Sequence, residues 1–393
     1  MTELFDAASG VNDHVIELRR AIHREPEIGL DLPRTQAKVL DALSGLGLDI
    51  SVGTSTTSIV ADLDCGDGPT ILLRADMDAL PLTEESGEPF ASSIEGVMHA
   101  CAHDGHVAML LGAARVLSER RSELSGRVRF MFQPGEEGYH GAEHMIEEGV
   151  LEGVDRCFAL HCTTDLPVGM VACRVGPMLA SADEFHITLT GKGGHGSAPH
   201  ATVDPIPAAC AIVPAISTMI ARDINTFSPA VVSVTHINSG TTTNIIPETA
   251  FLEGTIRTFD EDTRALVHRR LEQIATSTAQ SHQCTCDIDL VRGYGPTIND
   301  ATAVADMEAA TRMALGPDRY VDLPTPAMAA EDFSYLLAQR PGAMAMIGIC
   351  PADLDDPSMA QPLHSNRMRM NEDGLTAGVA VNVGVVMRNL GNH

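Results

Sequence analysis

The chain has 393 residues, 44% of them hydrophobic, and a formal charge of −27 from 26 basic and 53 acidic residues. That length allows two or three domains, and the composition supports a sizeable core. So acidic a chain lacks the basic patches that nucleic acid or an anionic membrane surface needs in a partner. The first residues carry neither the basic nor the apolar region of a secretory signal, and no run approaches the roughly 18 apolar residues of a membrane span. The nine cysteines follow no disulfide framework, which suits a reducing compartment. The expectation is a cytoplasmic protein.

In chain order, residues 14–23 and 34–46 have helical spacing, separated by Pro26 and Pro33. Thr70-Ile71-Leu72-Leu73 is a short apolar strand that runs into Asp76-Met77-Asp78. Helical spacing returns over 105–120. Val128–Phe132 is a strand leading straight into Gln133-Pro134-Gly135-Glu136-Glu137, and Cys157–Leu160 is another that delivers His161. The middle differs in texture. Residues 184–190 alternate as a strand, 204–222 are helix-like despite three prolines, 230–237 and 249–259 are strands, 260–280 is an amphipathic helix and 283–291 alternates again. That order, β-α-β-β-α-β, is the split βαβ or ferredoxin-like pattern. Near the C-terminus Met344–Ile349 is a buried strand, a loop carries His364, and a helix spans about 372–389.

Short apolar strands between helices predict an α/β fold with a mostly parallel sheet. The alternating segment interrupts it, so the expected organisation is a catalytic domain at 1–180 and 293–393 and an inserted α+β domain at 181–292. The polar candidates fall at strand C-termini, where open α/β sheets place their ligands.

The chemistry concentrates in His99-Ala100-Cys101-Ala102-His103-Asp104-Gly105-His106, which packs a thiol, three imidazoles and a carboxylate into eight residues. Glu136-Glu137, His161 and His364 follow. Thiolate and imidazole beside carboxylate is the donor set of a borderline transition metal. Adjacent glutamates add one group to hold metal and one to move a proton. The residues point to a metal-dependent hydrolase. His99 and His106 are candidates to support these ligands or to cap the helix start at Asp104.

Taken together, these segments resemble the aminoacylase/carboxypeptidase metallopeptidase family, most closely its amidohydrolase branch of hippurate, N-acyl-amino-acid and auxin-conjugate hydrolases. The likeness runs from Ile22-His23-Arg24-Glu25-Pro26-Glu27 through Arg74–Pro81, the Cys101/His103 segment, Gln133–Gly138 and Gly191–His195. It continues through Asn244–Glu248, Glu253–Thr258, Glu331-Asp332-Phe333 and Leu363-His364-Ser365. Two departures are visible: Ala102 stands where glycine is expected, and Cys162-Thr163 follows His161 where an apolar and an aromatic residue are usual.

The resemblance implies a two-metal amidohydrolase that cleaves an N-acyl amino acid to a carboxylate and a free amino acid. It implies Cys101 as a ligand bridging two divalent ions, with His103, Glu137, His161 and His364 completing the set. The two ions of such hydrolases lie about 3.5–4 Å apart; a thiolate bridge favours zinc, and manganese, cobalt and nickel are the other candidates. Glu136 is then the general base, Asp78 orients a ligand, and Asp76 occupies the place of a metal-binding histidine in relatives. From the inserted lid, His195 donates to the developing oxyanion, while Arg257 and Asn244 bind substrate, Arg257 through the free α-carboxylate. A homodimer formed through the lid is expected on the same ground. The alternatives are a dipeptidase or carboxypeptidase of the same family, a cysteine amidase with Cys101 as nucleophile, and a non-catalytic homologue that kept the fold.

Overall fold

In the computed structural model, which describes residues 2–392, the chain opens with α1 (Glu3–Ser9), α2 (Asn12–His23) and α3 (Pro33–Leu43). The last of these stops at Leu43 rather than residue 46, because Gly45 and Gly47 take positive φ angles of 79° and 71°, which end the helical run. A hairpin of β1 (Asp49–Val52) and β2 (Ile59–Asp64) precedes β3 (Thr70–Asp76), which is buried along its whole length. Then come α4 (His103–Glu119), β4 (Arg127–Gln133), α5 (Gly141–Glu147), β5 (Arg156–Thr163), β6 (Val171–Cys173) and β7 (Gly176–Leu179).

The middle of the chain carries β8 (Asp183–Thr190), β9 (Gly194–His195), α6 (Pro205–Asp223), β10 (Ala230–Ser239), β11 (Ile245–Ile246), β12 (Thr249–Thr258), α7 (Glu261–Ser281) and β13 (Thr285–Arg292). Its four long strands form an antiparallel sheet ordered β10-β12-β8-β13, the order of a split βαβ fold. Alternation along β8 and β12 buries Phe185, Ile187, Leu189, Ala250, Leu252 and Ile256 against α6 and α7, and leaves the other face to solvent. Helix α6 corrects one expectation. By length and composition it is long and apolar enough to cross a membrane, where no such run was expected. Ala208, Ile212, Ile216 and Met219 are buried along it.

The chain then returns through β14 (Thr297–Asn299), α8 (Ala301–Leu315), β15 (Tyr320–Asp322), α9 (Ser334–Leu337), β16 (Gly342–Gly348) and α10 (Asp373–Leu390). It divides into two units, residues 1–178, 298–325 and 332–393, and residues 179–297 with 326–331. The second unit is larger than the span 181–292 read from the sequence. Ala180 N–H donates to the carbonyls of Ala327 (3.2 Å) and Ala329 (2.8 Å), which ties a short later segment to it.

In the first unit an eight-stranded sheet has the order β1-β2-β4-β3-β5-β16-β6-β15. Its centre, β4-β3-β5-β16, is parallel, and antiparallel pairings appear only toward the edges. Central parallel strands covered on both faces are apolar throughout rather than alternating. That is why β3, β4 and β5 were legible as short hydrophobic runs. Being parallel, β3, β4 and β5 all finish at the same edge of the sheet. Helices α4 and α10, each buried over most of its length, complete the core.

Candidate metal centre

Two residues beyond the end of β3, Asp78 is buried, and its carboxylate accepts from the backbone N–H groups of Glu136 and Glu137, each at 3.0 Å. The acidic pair that follows β4 is thus held by one carboxylate from the neighbouring loop. The Asp78 carbonyl also accepts from Nδ1–H of His103 at 2.8 Å. A carbonyl can only accept, so Nδ1 donates, and in the neutral ring that leaves the lone pair on Nε2, the usual way a partner fixes the tautomer of a ligating histidine.

His103 is the first residue of α4. Ala102 before it has φ 62° and ψ 25°, a left-handed conformation that costs an L-residue roughly 1–2 kcal/mol. That geometry explains why glycine was expected there. His364 is also left-handed, with φ 66°. Its N–H donates to the Ala100 carbonyl at 2.8 Å, which sets it beside Cys101. Strained backbone of this kind persists where the surroundings over-determine it, often at functional sites.

Five side chains from four distant segments meet here. Cys101 Sγ lies 3.6 Å from His161 Nε2 and 3.3 Å from His364 Nε2, and His364 Nε2 lies 3.2 Å from Glu137 Oε1. The donor atoms of Cys101, His103 and His161 are within 4.8 Å of one another, and so are those of Cys101, Glu137 and His364. The two groups share Cys101. Sulfur and nitrogen bound tetrahedrally to one zinc ion are about 3.6 Å apart, and nitrogen and oxygen about 3.3 Å. The separations found here match that spacing. His103 Nε2 is buried with no hydrogen-bond partner, and a buried lone pair without a donor is what a cation satisfies. The residues present therefore fit a pair of divalent ions. Glu136 is buried beside them, its Oε2 4.0 Å from His103 Nε2.

The electrostatics favour positive charge. Hydrogen bonds to Cys101 and Glu137 push His364 up to about 10. Burial opposes ionisation of Glu137, yet His364 and His103 hold its carboxyl below the ordinary range. Burial pushes the Cys101 thiol up despite the histidines around it. Protons and metal ions compete for such donors.

Asp76, the residue at the place of a metal-binding histidine in relatives, is engaged otherwise. Its oxygens meet His106 Nδ1 at 2.5 Å and Arg74 Nη1 at 2.6 Å. Complete burial opposes its ionisation, but Arg74, His103 and His106 hold the carboxyl well below its ordinary value. His106 Nε2 in turn accepts from the Cys162 N–H at 2.8 Å, so His106 joins the end of β3 to the residue after His161. Arg74 extends this buried chain to Gln133 (2.9 Å) and Asp332 (3.0 Å). Sequence reasoning assigned no role to Arg74, Gln133 or Asp332; the available signal was an arginine inside an otherwise apolar strand. The same holds for His23, which meets Asp104 at 2.8 Å and Glu84 at 3.1 Å.

Residues 72–388 match the peptidase family M20/M25/M40. The chain belongs to that family. Among its M20 relatives, the chain is 35% identical to an IAA-amino acid hydrolase of Arabidopsis thaliana, over 99% of this chain and 88% of that protein. It is 39% identical to a thermostable carboxypeptidase of Saccharolobus solfataricus, over 94% of this chain and 93% of that protein. A crystal structure of a Bacillus subtilis dinuclear metal-binding M20 peptidase superposes with a TM-score of 0.83 at 32% identity, covering 96% of this chain and 99% of that one.

The M20 residues expected from the second unit are not all brought together. His195 in β9 pairs with Ile245 in β11, and Gly196 N–H donates to the Asn244 carbonyl at 2.8 Å, so His195 and Asn244 lie together on one exposed two-stranded ladder. The Nδ1 of His195 accepts from the Ser197 N–H at 3.1 Å. Arg257 lies near the other end of β12, where it donates to Thr255 Oγ1 and to the Ile256 carbonyl at 3.0 Å. Eight strand residues separate it from Thr249, about 27 Å at the antiparallel rise. No single small substrate touches both ends of that strand.

Proposed function

We propose that the protein is a two-metal amidohydrolase that cleaves an N-acyl amino acid into a carboxylate and a free amino acid. The observation that carries this reading is the pair of donor groups sharing Cys101, with Glu136 buried at their edge. Divalent ions, when bound, acidify water and polarise a carbonyl. Within this reading Cys101, His103, Glu137, His161 and His364 hold the ions, and Asp78 holds the Glu136–Glu137 turn. Glu136 is left to accept a proton from water and deliver it to the departing amine nitrogen. Thiolate and imidazole favour zinc; manganese, cobalt and nickel are the ions to test against it.

From the second unit, Arg257 offers a two-pronged bond to the free α-carboxylate. His195 offers an N–H to charge that develops on the carbonyl oxygen. Because Arg257 lies near one end of β12 and the ladder holding His195 and Asn244 precedes its other end, we propose that the protein is a homodimer in which one copy's His195 and Asn244 serve the substrate held by the other.

Two observations weigh on the alternatives. The likeness to a carboxypeptidase keeps short peptides as the second substrate class, since Arg257 suits any free α-carboxylate. A cysteine nucleophile needs a lowered thiol pKa and access, whereas burial pushes the Cys101 thiol up. The test is to remove metal with a chelator, reload single divalent ions, and screen N-acetyl, N-benzoyl and long-chain acyl amino acids beside dipeptides. Activity that returns with metal and is greatest on acyl amino acids is expected. Activity that survives chelation and falls to an alkylating agent overturns the reading.

A further inference from the structure

We propose that the solvent face of the second unit's sheet carries a further transition-metal site, built by His186, Glu253 and His236 and separate from the centre around Cys101. Strand register places these residues in one line. His186 of β8 is paired with Glu253 of β12, and Glu253 with His236 of β10. On the other side of His186, Asp289 of β13 is its partner. Residues directly opposite on adjacent antiparallel strands share a face, with Cβ atoms about 4.5–5.5 Å apart. Asp289, His186, Glu253 and His236 therefore form one row across all four strands, on the face turned away from the packed core of α6 and α7.

The row depends on an irregularity in β10. Val234 pairs with Gly254, so regular register would set Thr235 opposite Glu253; a register shift puts His236 there instead. A bulge of this kind re-aims a side chain. Here it supplies the second imidazole.

Two of the ligand separations match the spacing around one ion. Glu253 Oε2 lies 3.4 Å from His186 Nδ1, and Glu253 Oε1 lies 3.0 Å from His236 Nδ1. Nitrogen and oxygen ligands of a tetrahedral zinc ion are about 3.3 Å apart. Phe251, two residues before Glu253 and on the same face, underlies both rings: it stacks on His186 at 6.3 Å and 19°, and meets His236 at 5.9 Å and 67°. Glu184 Oε2 stands 3.7 Å from the other nitrogen of His186, the position from which a carboxylate orients a ligating imidazole. Three carboxylates around two imidazoles make a local field that draws cations. Imidazole with carboxylate selects zinc, nickel or copper over calcium and magnesium. His186 is half-buried and His236 exposed, which leaves open positions for water on the ion.

The competing account is a row of surface hydrogen-bonded pairs, each adding little to stability. Equilibrium dialysis of the full-length protein against Zn2+, with metal counted by elemental analysis, separates the two. The wild type is expected to hold one zinc equivalent more than the double variant His186→Gln/His236→Gln, with the same turnover in both. Glu253→Gln is expected to weaken that extra equivalent at least tenfold. If the double variant does not fold, His236→Asn alone, at the most exposed ligand, carries the same comparison. Equal zinc content in wild type and variants at every free zinc concentration overturns the proposal. Because the readout is a difference of one equivalent, it holds whether the Cys101 centre takes two ions, one or none.

Discussion

Replacing Asp78 by asparagine tests how the acidic turn is held. The aspartate carboxylate accepts two backbone N–H groups at 3.0 Å, one from Glu136 and one from Glu137. Asparagine keeps one acceptor oxygen and turns an amide donor toward the other N–H. One buried charge-assisted hydrogen bond is lost, about 1.5–3 kcal/mol. If that cost falls on the arrangement of the metal ligands, it corresponds to roughly 10- to 150-fold weaker metal binding, at about 1.4 kcal/mol per tenfold. The Asp78 carbonyl still accepts from His103, and because the carboxylate lies only 3.5 Å from His103 Nδ1, a smaller effect on that ligand is included in the readout. The assay is zinc titration against a competing chromophoric chelator, read beside turnover. Metal affinity and turnover both within twofold of wild type would refute the reasoning.

Glu136→Gln is expected to retain full metal content while turnover falls about 10²–10⁴-fold, the usual contribution of a general base; near-normal turnover removes Glu136 from that role. Cys101→Ser is expected to lower the metal content measured by elemental analysis, and unchanged stoichiometry contradicts a shared thiolate. Metal affinity is expected to fall as pH is lowered, because His364 and the Cys101 thiol, both shifted upward, take up protons that compete with the ions; titrations at a series of pH values check this, and a flat profile opposes it. In the second unit, burial opposes ionisation of Asp183, but Arg264 and His268 hold its carboxyl below the ordinary range. A depressed carboxyl adds stability above its unfolded pKa of about 3.9, and that stability is lost as pH falls toward the folded value. Asp183→Asn should thus lower the Tm at neutral pH and flatten its decline in acid; parallel Tm curves for the two proteins would speak against the ion pair.

The sequence was most legible where one periodicity dominates. Strands β3, β4 and β5 are buried on both faces and read as apolar runs, whereas β8 and β12 alternate because one face meets solvent. The short elements α1, β6 and β15 escaped notice, since three to seven residues carry too little pattern to rise above their surroundings. In the site, Cys101, His103, Glu137, His161 and His364 stood out through donor chemistry and family likeness. Asp78 was expected to orient a ligand, but its hold on the Glu136–Glu137 turn was not legible, because those partners are backbone N–H groups 58 and 59 residues away that have no residue signature. The Arg74–Asp76–His106 chain was hidden for a related reason: its members sit in a strand interior, at a strand end and in helix α4, and only the packing of α4 on β3 joins them. The separation of Arg257 from Asn244 was available from the length of β12, since Asn244 precedes that ten-residue strand and Arg257 lies near its far end.

Anomalous diffraction from crystals of the metal-loaded protein tests the central claim most directly. Two peaks about 3.5–4 Å apart, both within bonding distance of Cys101 Sγ, with His103 and His161 on one and Glu137 and His364 on the other, are predicted. A single ion that leaves Cys101 unbound, or no ion among these five side chains, would contradict it.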